Sequence, residues 1–399
     1  MWGHYTSKDM IKWEYQGTAL YPDQPFDCHG VYSGSAFIED GKMYLYYTGN
    51  VKLEDGEYDY IRTGREGNTV LVITEDGKTF GKKKELMRNS DYPDDLTCHV
   101  RDPKVWKENG TYYMVQGART NEDVGQVLVF ESEDKVNWKF RNRVESEKPF
   151  GYMWECPDYF KIGDKKLLST SVQGLEGGIW EDRNVYQSGY FEIEGDILGE
   201  YKLSEYHLWD YGFDYYAPQS FETEDGRRIH ISWMGMPDCE EYTNLTIQTG
   251  WQHCFAFPRE IFEKDGKIPV RELDEKKHLV SDVKGMLSSD GYPVYELEIS
   301  NIAENHFKVI LSNELILDYA DGRFRMHFIS QDKTSISAGR SMRYVEVDEV
   351  KDLRILADRS SVEVFVNDGE YVFSTRYYPE NHKLLAEAVE AQIRLSEIM

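Results

Sequence analysis

The chain has 399 residues, 40% hydrophobic and 30% charged, a composition typical of a soluble globular protein large enough for two cores. Its 72 acidic and 46 basic residues give a net charge of −26, which disfavours binding to nucleic acid and anionic membranes. No run approaches the roughly 18 apolar residues that span a bilayer. We therefore expect a small or neutral substrate, with no nucleic-acid or membrane partner.

The cysteines are odd in number, scattered and without CxxC spacing, so neither a disulfide framework nor a zinc site is predicted. We expect buried, reduced thiols at Cys28, Cys98, Cys156, Cys239 and Cys254. The first residues also lack the basic and apolar regions of a secretory signal. These features predict a cytoplasmic protein.

The N-terminal residues 2–13 resemble the later segment 131–138, including its closing tryptophan (Trp13 and Trp138). That later segment follows a hairpin, whereas no hairpin precedes residue 2. We expect the chain to begin inside a repeat, without a hairpin of roughly 15 to 25 residues.

Four segments, beginning at residues 32, 101, 154 and 216, then share a pattern of strand, glycine-containing turn and strand. This pattern is typical of β-hairpins. A second strand pair follows the first three hairpins. The spacing between hairpins is that of four-stranded propeller blades, and helical periodicity is almost absent. The sequence predicts an all-β fold whose residues 1–262 form a five-bladed β-propeller with an incomplete first blade.

The repeat stops in the charged stretch 263–291, which we interpret as a connector. Residues 292–399 contain many short alternating segments separated by turns such as Asp321-Gly322, a pattern that predicts a C-terminal β-sandwich. Eight strands are expected there: 295–299, 307–311, 315–319, 324–329, 345–347, 353–357, 361–366 and 371–376.

Two of the hairpins open with a carboxylate close to a proline. They are Arg101-Asp102-Pro103 and Trp154-Glu155-Cys156-Pro157-Asp158. A lone Asp-Pro is usually a turn. Proline fixes its own φ and biases the preceding residue toward an extended conformation, so Glu155 should be rigidly held at a strand start, as suits a general acid. Because the two motifs occupy equivalent places in successive repeats, shared chemistry is a better interpretation than two unrelated turns.

Together the motifs resemble glycoside hydrolase family 32, the invertases, fructanases and sucrose-6-phosphate hydrolases. The similarity extends over nearly the whole chain, in family order. The matching segments are Tyr32-Ser33-Gly34-Ser35-Ala36, Arg101-Asp102-Pro103, Trp154 to Asp158, Asp214 to Gln219, Trp233-Met234-Gly235, Pro258-Arg259-Glu260 and, in the sandwich, Asp358 to Phe365.

The resemblance implies a retaining β-fructofuranosidase that acts on sucrose or its 6-phosphate and needs no metal or cofactor. Glu155 would be the general acid and later the base, and Asp102 would stabilise the oxocarbenium-like transition state. Arg101, Tyr32, Ser33 and Trp233 would bind the sugar. We expect Arg101 to keep Asp102 ionised, while burial among aromatic side chains raises the pKa of Glu155.

The family's nucleophile lies in a Trp-Met-Asn-Asp-Pro-Asn-Gly motif, which this sequence lacks. We therefore expect the chain as given to hydrolyse β-fructosides weakly or not at all. Two alternatives stay open: a non-catalytic propeller that binds fructosides, and a five-bladed hydrolase of arabinan or xylan. The sandwich motif and Trp154 to Asp158 disfavour the second of these. The sequence does not indicate an oligomeric state.

Overall fold

The computed structural model describes residues 1–239, 245–265, 267, 269–272 and 277–398. Within these ranges the regular structure is β, apart from short 3-10 helices at Asn89–Asp91, Gly178–Trp180 and Leu245–Thr249. Two compact units are present: Met1–Glu176 with Gly189–His207, and Gly177–Ser188 with Leu208–Met399. A search of the described residues finds no helix with the length and apolarity to cross a bilayer.

The first unit consists of a hairpin and three antiparallel sheets, each in simple meander order like a propeller blade. The hairpin pairs β1 (Trp2–Ser7) with β2 (Trp13–Leu20). The first blade contains β3 (Gly30–Glu39), β4 (Lys42–Lys52), β5 (Arg65–Thr74) and β6 (Lys84–Met87). The second contains β7 (Leu96–Glu108), β8 (Thr111–Thr120), β9 (Gly125–Ser132) and β10 (Lys139–Val144). The third contains β11 (Met153–Ile162), β12 (Lys165–Gln173), β13 (Tyr186–Gly195) and β14 (Tyr201–Leu203), with β15 (His207–Leu208) paired to β13.

The middle strands of these blades are the most apolar because both of their faces pack against protein. Tyr46 and Met114, on the second strands of the first two blades, share one core, which also contains Phe130. Val115 faces the next core, where it meets Trp154 and Phe191. Alternate side chains of one strand thus enter two successive cores, which fixes the register of each blade against its neighbours.

The second unit contains a fourth blade-like sheet and one large sheet. The blade-like sheet contains β16 (Tyr216–Glu222), β17 (Arg228–Met234), β18 (Cys254–Phe255), β19 (Arg259–Ile261) and β20 (Val270–Glu272). Its strand order is β16-β17-β19-β20, and β18 pairs with β17. The large sheet contains β21 (Lys277–Ser289), β22 (Tyr295–Ser300), β23 (Phe307–Leu311), β24 (Leu315–Ala320), β25 (Arg323–Phe328), β26 (Met342–Glu346), β27 (Asp352–Asp358), β28 (Ser361–Val366), β29 (Tyr371–Arg376) and β30 (Leu384–Ile398).

The long last strand, β30, joins the two halves of this sheet. Its first part pairs with β23 and its last part with β22, while β21 pairs along its other edge. The halves enclose a core that includes Leu297, Val309, Phe324 and Val364. The expected sandwich is therefore built from a single hydrogen-bonded sheet that folds over on itself.

A buried ion network links the fourth blade-like sheet to the large sheet inside the second unit. Arg259, on β19, is fully buried, and its guanidinium bonds to Asp210 Oδ2 (3.0 Å), to Glu363 and to Ser374 Oγ (2.6 Å). Both carboxylates are also buried. Asp210 accepts two further bonds from Ser374, so every charge in the network has several partners. Removal of one member of such a network leaves a buried charge undercompensated, which is strongly destabilising.

The all-β fold class is confirmed, as are blade-like sheets opened by the predicted hairpins. Each of the eight strands predicted in the C-terminal region overlaps an observed strand. β21 lies within the predicted connector 263–291, and β30 was not predicted. A fifth blade and the domain limits at 262 and 291 stay predictions. The five cysteines are free, but the expectation that all are buried is wrong, because Cys28 is exposed.

The buried network yields a stability prediction. Glu363→Ala should lower the free energy of unfolding of the second unit by about 3–5 kcal/mol, because it leaves the buried Arg259 cation undercompensated. The matched control is Glu346→Ala, which removes a β-strand glutamate that is 76% exposed and paired to Arg323. That change should cost less than about 1 kcal/mol. Urea unfolding followed by tryptophan fluorescence measures both, and equal effects would show that the network is not stabilising.

Candidate active site

The same irregularity interrupts the inner strand of each blade-like sheet. The strand register shifts between Val31 and Gly34, between Arg101 and Lys104, between Glu155 and Asp158, and between Tyr216 and Gln219. At each place two residues of the inner strand are left unpaired, which makes a β-bulge. Bulges tolerate proline because no ladder hydrogen bond is needed there.

In three of the bulges the residue before the proline adopts a positive φ: Asp102 (63°), Cys156 (48°) and Ala217 (54°). The expectation of an extended Cys156 is therefore wrong. The bulge imposes a left-handed conformation that costs of order 1–3 kcal/mol per residue, so the surrounding structure must hold it in place.

Hydrogen bonds between successive blades supply that restraint. The strained Asp102 donates its backbone N–H to Thr48 Oγ1 of the first blade (3.0 Å). The strained Cys156 donates its backbone N–H to Asp102 Oδ2 of the second blade (2.9 Å). The bulges at Asp102 and Cys156 are thus anchored to the preceding blade, and the Asp102 carboxylate is itself one of the anchors.

Glu155 points away from the blade core because strand residues alternate. Its neighbour Trp154 is fully buried, stacked on Phe191 with ring centroids 5.1 Å apart. Glu155 Oε1 accepts bonds from Arg101 Nε (2.9 Å) and Nη2 (2.7 Å), and Oε2 accepts one from Gln173 Nε2 (2.9 Å). Both carboxylate oxygens are therefore oriented by charge-assisted or amide bonds.

Asp102 lies near the same guanidinium. Its Oδ2 is 4.0 Å from Arg101 Nε, the nitrogen that donates to Glu155 over 2.9 Å. The two carboxyl oxygens are therefore closer than the sum of these distances, within reach of one sugar ring. Gly117, on β8, allows this approach, because a Cβ there would lie 1.9 Å from the backbone oxygen of Trp154.

Burial dominates the electrostatics of Asp102, which is 5% exposed. Burial raises the pKa of its carboxyl to about 6, Arg101 opposes the rise, and the Glu155 charge adds to it. Arg101 acts on Asp102 in the expected direction, since it favours the ionised carboxylate, but desolvation outweighs the guanidinium. At pH 7 Asp102 is still mostly ionised.

The three remaining predicted site residues, Tyr32, Ser33 and Trp233, lie in two different parts of the fold. Tyr32 and Ser33 are the two unpaired residues of the first-blade bulge, and both are exposed. The Tyr32 carbonyl accepts a bond from Trp2 Nε1 (2.8 Å). Trp233 belongs to the second unit, on β17, where its indole meets the His253 ring edge-on with centroids 5.0 Å apart.

Sequence reasoning missed three residues that hold this site: Thr48, His99 and Gln173. His99 precedes Arg101 by two residues, and its Nδ1 lies 2.6 Å from Arg101 Nη1. Burial, followed by the charges of Arg101, Arg65 and Arg119, lowers the pKa of His99 to about 3, so the ring is neutral. Strand alternation could have identified His99. Thr48 and Gln173 lie on second strands, where no motif marked them.

Comparison with protein families identifies the family to which this chain belongs. The Glycosyl hydrolases family 32 N-terminal domain matches residues 1–271, and the Glycosyl hydrolases family 32 C terminal matches residues 312–396. The chain belongs to glycoside hydrolase family 32. The resemblance inferred from the motifs is confirmed, and the protein is a glycosidase of the β-fructofuranosidase type.

Relatives in this family extend along almost the whole chain. A sucrose-6-phosphate hydrolase from Bacillus subtilis (strain 168) is 36% identical over 97% of this chain and 82% of its own length. A raffinose invertase from Escherichia coli is 35% identical over 95% of this chain and 81% of its own length.

Solved structures of family 32 share the fold. The sucrose-6-phosphate hydrolase from Lactobacillus gasseri has a TM-score of 0.87 at 27% identity and covers 100% of this chain and 84% of its own. A mutant of the Bombyx mori GH32 beta-fructofuranosidase, in complex with sucrose, has a TM-score of 0.82 at 26% identity and covers 99% of this chain and 84% of its own.

The raised pKa of Asp102 predicts how stability depends on pH. A carboxyl whose pKa is higher in the folded state stabilises the fold while protonated, and that contribution is lost as the pH rises through about 6. From pH 5 to pH 7, Asp102→Asn should therefore gain stability relative to the unmodified protein, by roughly 1 kcal/mol.

The control is Asp95→Asn, since the pKa of Asp95 is lowered by its bond to Arg143. The contribution of such a carboxyl is fully present above its unfolded pKa, so the stability of Asp95→Asn relative to the unmodified protein should not change between pH 5 and pH 7. Urea unfolding at both pH values measures the two differences. A pH-independent difference for Asp102→Asn would contradict a desolvated carboxyl at this position.

Proposed function

We propose that this protein hydrolyses β-fructofuranosides, with sucrose 6-phosphate or sucrose as substrate, and that Glu155 and Asp102 act on one fructosyl unit. The observation that carries the proposal is the shared guanidinium: Arg101 bonds to Glu155 and lies 4.0 Å from Asp102. The relatives described above, a sucrose-6-phosphate hydrolase and a raffinose invertase, support this substrate class.

In the proposed mechanism Glu155 protonates the oxygen of the leaving sugar and later activates water as a base. After it gives up the proton, its two oxygens are held by Arg101 and Gln173. These bonds stabilise the carboxylate produced in the acid step, and they also orient it for the return of the proton. A donor fixed in this way needs no reorganisation at the moment of transfer.

Asp102 would stabilise the positive charge that develops on the fructosyl ring and accept bonds from its hydroxyls. Because Asp102 is buried, its negative charge acts in a medium of low dielectric, where such stabilisation is strongest. Arg101 positions both carboxylates. Tyr32, Ser33 and Trp233 are the side chains we propose as further sugar contacts.

A retaining mechanism also needs a nucleophilic carboxylate about 5–5.5 Å from the acid. The family motif that carries it, Trp-Met-Asn-Asp-Pro-Asn-Gly, does not occur in the printed sequence. We propose that the chain as given binds fructosides and turns them over slowly, since an acid and a stabiliser retain only part of the rate. A purely sugar-binding protein is the alternative that this feature favours.

We propose that β1 and β2 are the outer strands of a fifth blade, and that the domain limits lie at residues 262 and 291. We propose a cytoplasmic location, supported by five cysteines that form no disulfide with one another. No cofactor is proposed. The described residues contain no cluster of three or more His, Cys, Asp or Glu side chains suited to a metal ion.

Two substrates with different leaving groups test the proposed roles of Glu155 and Asp102. Glu155→Gln should slow hydrolysis of sucrose far more than hydrolysis of an activated aryl β-fructofuranoside, because only the poor leaving group needs a proton. Asp102→Asn should slow both to a similar degree, since it acts on the fructosyl charge. Steady-state kinetics measures the ratio, and equal losses for both substrates in Glu155→Gln would remove Glu155 from the acid role.

The same assays with added azide test slow turnover. Azide can replace a missing nucleophilic carboxylate, so the aryl fructoside should react at least about tenfold faster in its presence and yield fructosyl azide. Sucrose hydrolysis at ordinary enzymatic rates, in the range of 1–10³ per second, without azide would show that a nucleophile is already in place. Binding of fructosides with no turnover under either condition would favour the sugar-binding alternative.

A further inference from the structure

A second cationic side chain, Arg65, lies beside Arg101 and has no part in the mechanism above. It opens β5, opposite Lys52 on β4. Two residues further on, Gly67 lies against the backbone of Val100, so the start of β5 runs next to the segment that carries Arg101. The charge of Arg101 acts directly on Arg65, as do the Tyr32 and Cys98 side chains.

Among the residues that the structure describes, Arg65 forms no ion pair, and its buried Nε has no hydrogen-bond partner. Burial and the neighbouring Arg101 charge both lower the pKa of Arg65. The acidic groups that act on its charge are the phenol of Tyr32 and the thiol of Cys98, neither of which is a carboxylate. A half-buried guanidinium beside a second guanidinium is costly when no anion compensates it.

The other arginines nearby are all paired. Arg101 bonds to Glu155, Arg119 lies 2.7 Å from Asp123, and Arg62 lies 3.0 Å from Asp123. Arg65, Arg101 and Arg119 all act on the neutral His99. Arg65 is therefore the guanidinium of this group that no described carboxylate pairs with, in a chain whose net charge is −26. An unpaired, half-buried cation favours an anion at this one place, while the acidic surface elsewhere repels it.

We propose that Arg65 recognises the phosphate of a phosphorylated sugar substrate, carried on the glucosyl unit that leaves. The inference rests on the proposed function, because it places this phosphate next to the fructosyl unit held by Asp102 and Glu155. A guanidinium presents a planar fork of N–H donors that matches a phosphate group. A neutral disaccharide has no group that would compensate the Arg65 charge, whereas a phosphate monoester does.

Glucose 6-phosphate tests the assignment independently of turnover, because it has no glycosidic bond to cleave. Isothermal titration of the unmodified protein should give an affinity for glucose 6-phosphate at least tenfold higher than for glucose or for inorganic phosphate. Arg65→Gln should reduce that preference over glucose to less than threefold, and Arg65→Lys should restore part of it. The charge-matched control is Arg141→Gln, since Arg141 is a surface residue of the same unit paired with Glu131. It should keep the full preference.

A thermal scan accompanies the titrations. Arg65→Gln should unfold at a temperature no lower than the unmodified protein, because it removes a repulsive neighbour of Arg101. A lower temperature would show that Arg65 is a structural residue and would overturn the proposal. No preference in the unmodified protein, or a preference that survives Arg65→Gln, would also overturn it. If inorganic phosphate binds as tightly as glucose 6-phosphate, Arg65 forms a general anion site and not a substrate subsite, which would overturn the proposal.

Failure of this inference is separable from failure of the proposed function. Hydrolysis of sucrose and sucrose 6-phosphate with equal kcat/KM would leave the glycosidase in place and remove the phosphate subsite. A preference for glucose 6-phosphate that Arg65→Gln abolishes, in a protein that hydrolyses no fructoside, would keep the phosphate subsite and refute the hydrolase.

Discussion

The site depends on one backbone constraint, the bulge that forces the residue before each proline into a left-handed conformation. At Asp102 and Cys156 this conformation turns two backbone N–H groups toward the preceding blade, where Thr48 and the Asp102 carboxylate accept them. The strain would not persist without these bonds. The same bonds fix where the carboxylates point, so the interaction that holds adjacent blades together also builds the site.

The guanidinium of Arg101 interacts with both carboxylates of the site. Arg101 holds Glu155 through two short bonds and compensates part of the charge of the buried Asp102. Desolvation still outweighs Arg101 in setting the pKa of Asp102. The ionised, desolvated carboxylate therefore destabilises the fold at this position. A buried anion is costly for folding and useful for stabilising a developing cation, the usual conflict between stability and activity in an active site.

The blades could be predicted from the sequence because their determinants are local. A glycine turn, two alternating strands and a polar motif lie within one hairpin, and they repeat. β30 could not be predicted in the same way, because Leu384–Ile398 is rich in Ala, Glu and Leu, residues that favour helix. Pairing with β21, β22 and β23 overrides that preference, and those partners are distant in sequence.

The site shows the same division. Arg101, Asp102 and Glu155 could be found because their motifs are contiguous. Thr48, Gln173 and Arg65 could not, since each reaches the site from a strand whose own sequence carries no sign of it. The left-handed Cys156 was missed because the usual preference for extended residues before proline describes an isolated chain. In the folded protein, hydrogen bonds to a neighbouring blade reverse it.

In the proposed site Asp102 and Glu155 bind one fructosyl unit, and Arg101 positions both carboxylates. A double-mutant cycle on fructose affinity tests it most directly, with Asp102→Asn, Glu155→Gln and the double variant titrated by calorimetry. If the two carboxylates act on one sugar, the double variant should lose less affinity than the two single losses combined, with a coupling energy above about 0.5 kcal/mol. Additive losses, or no saturable fructose binding by the unmodified protein, would contradict the account.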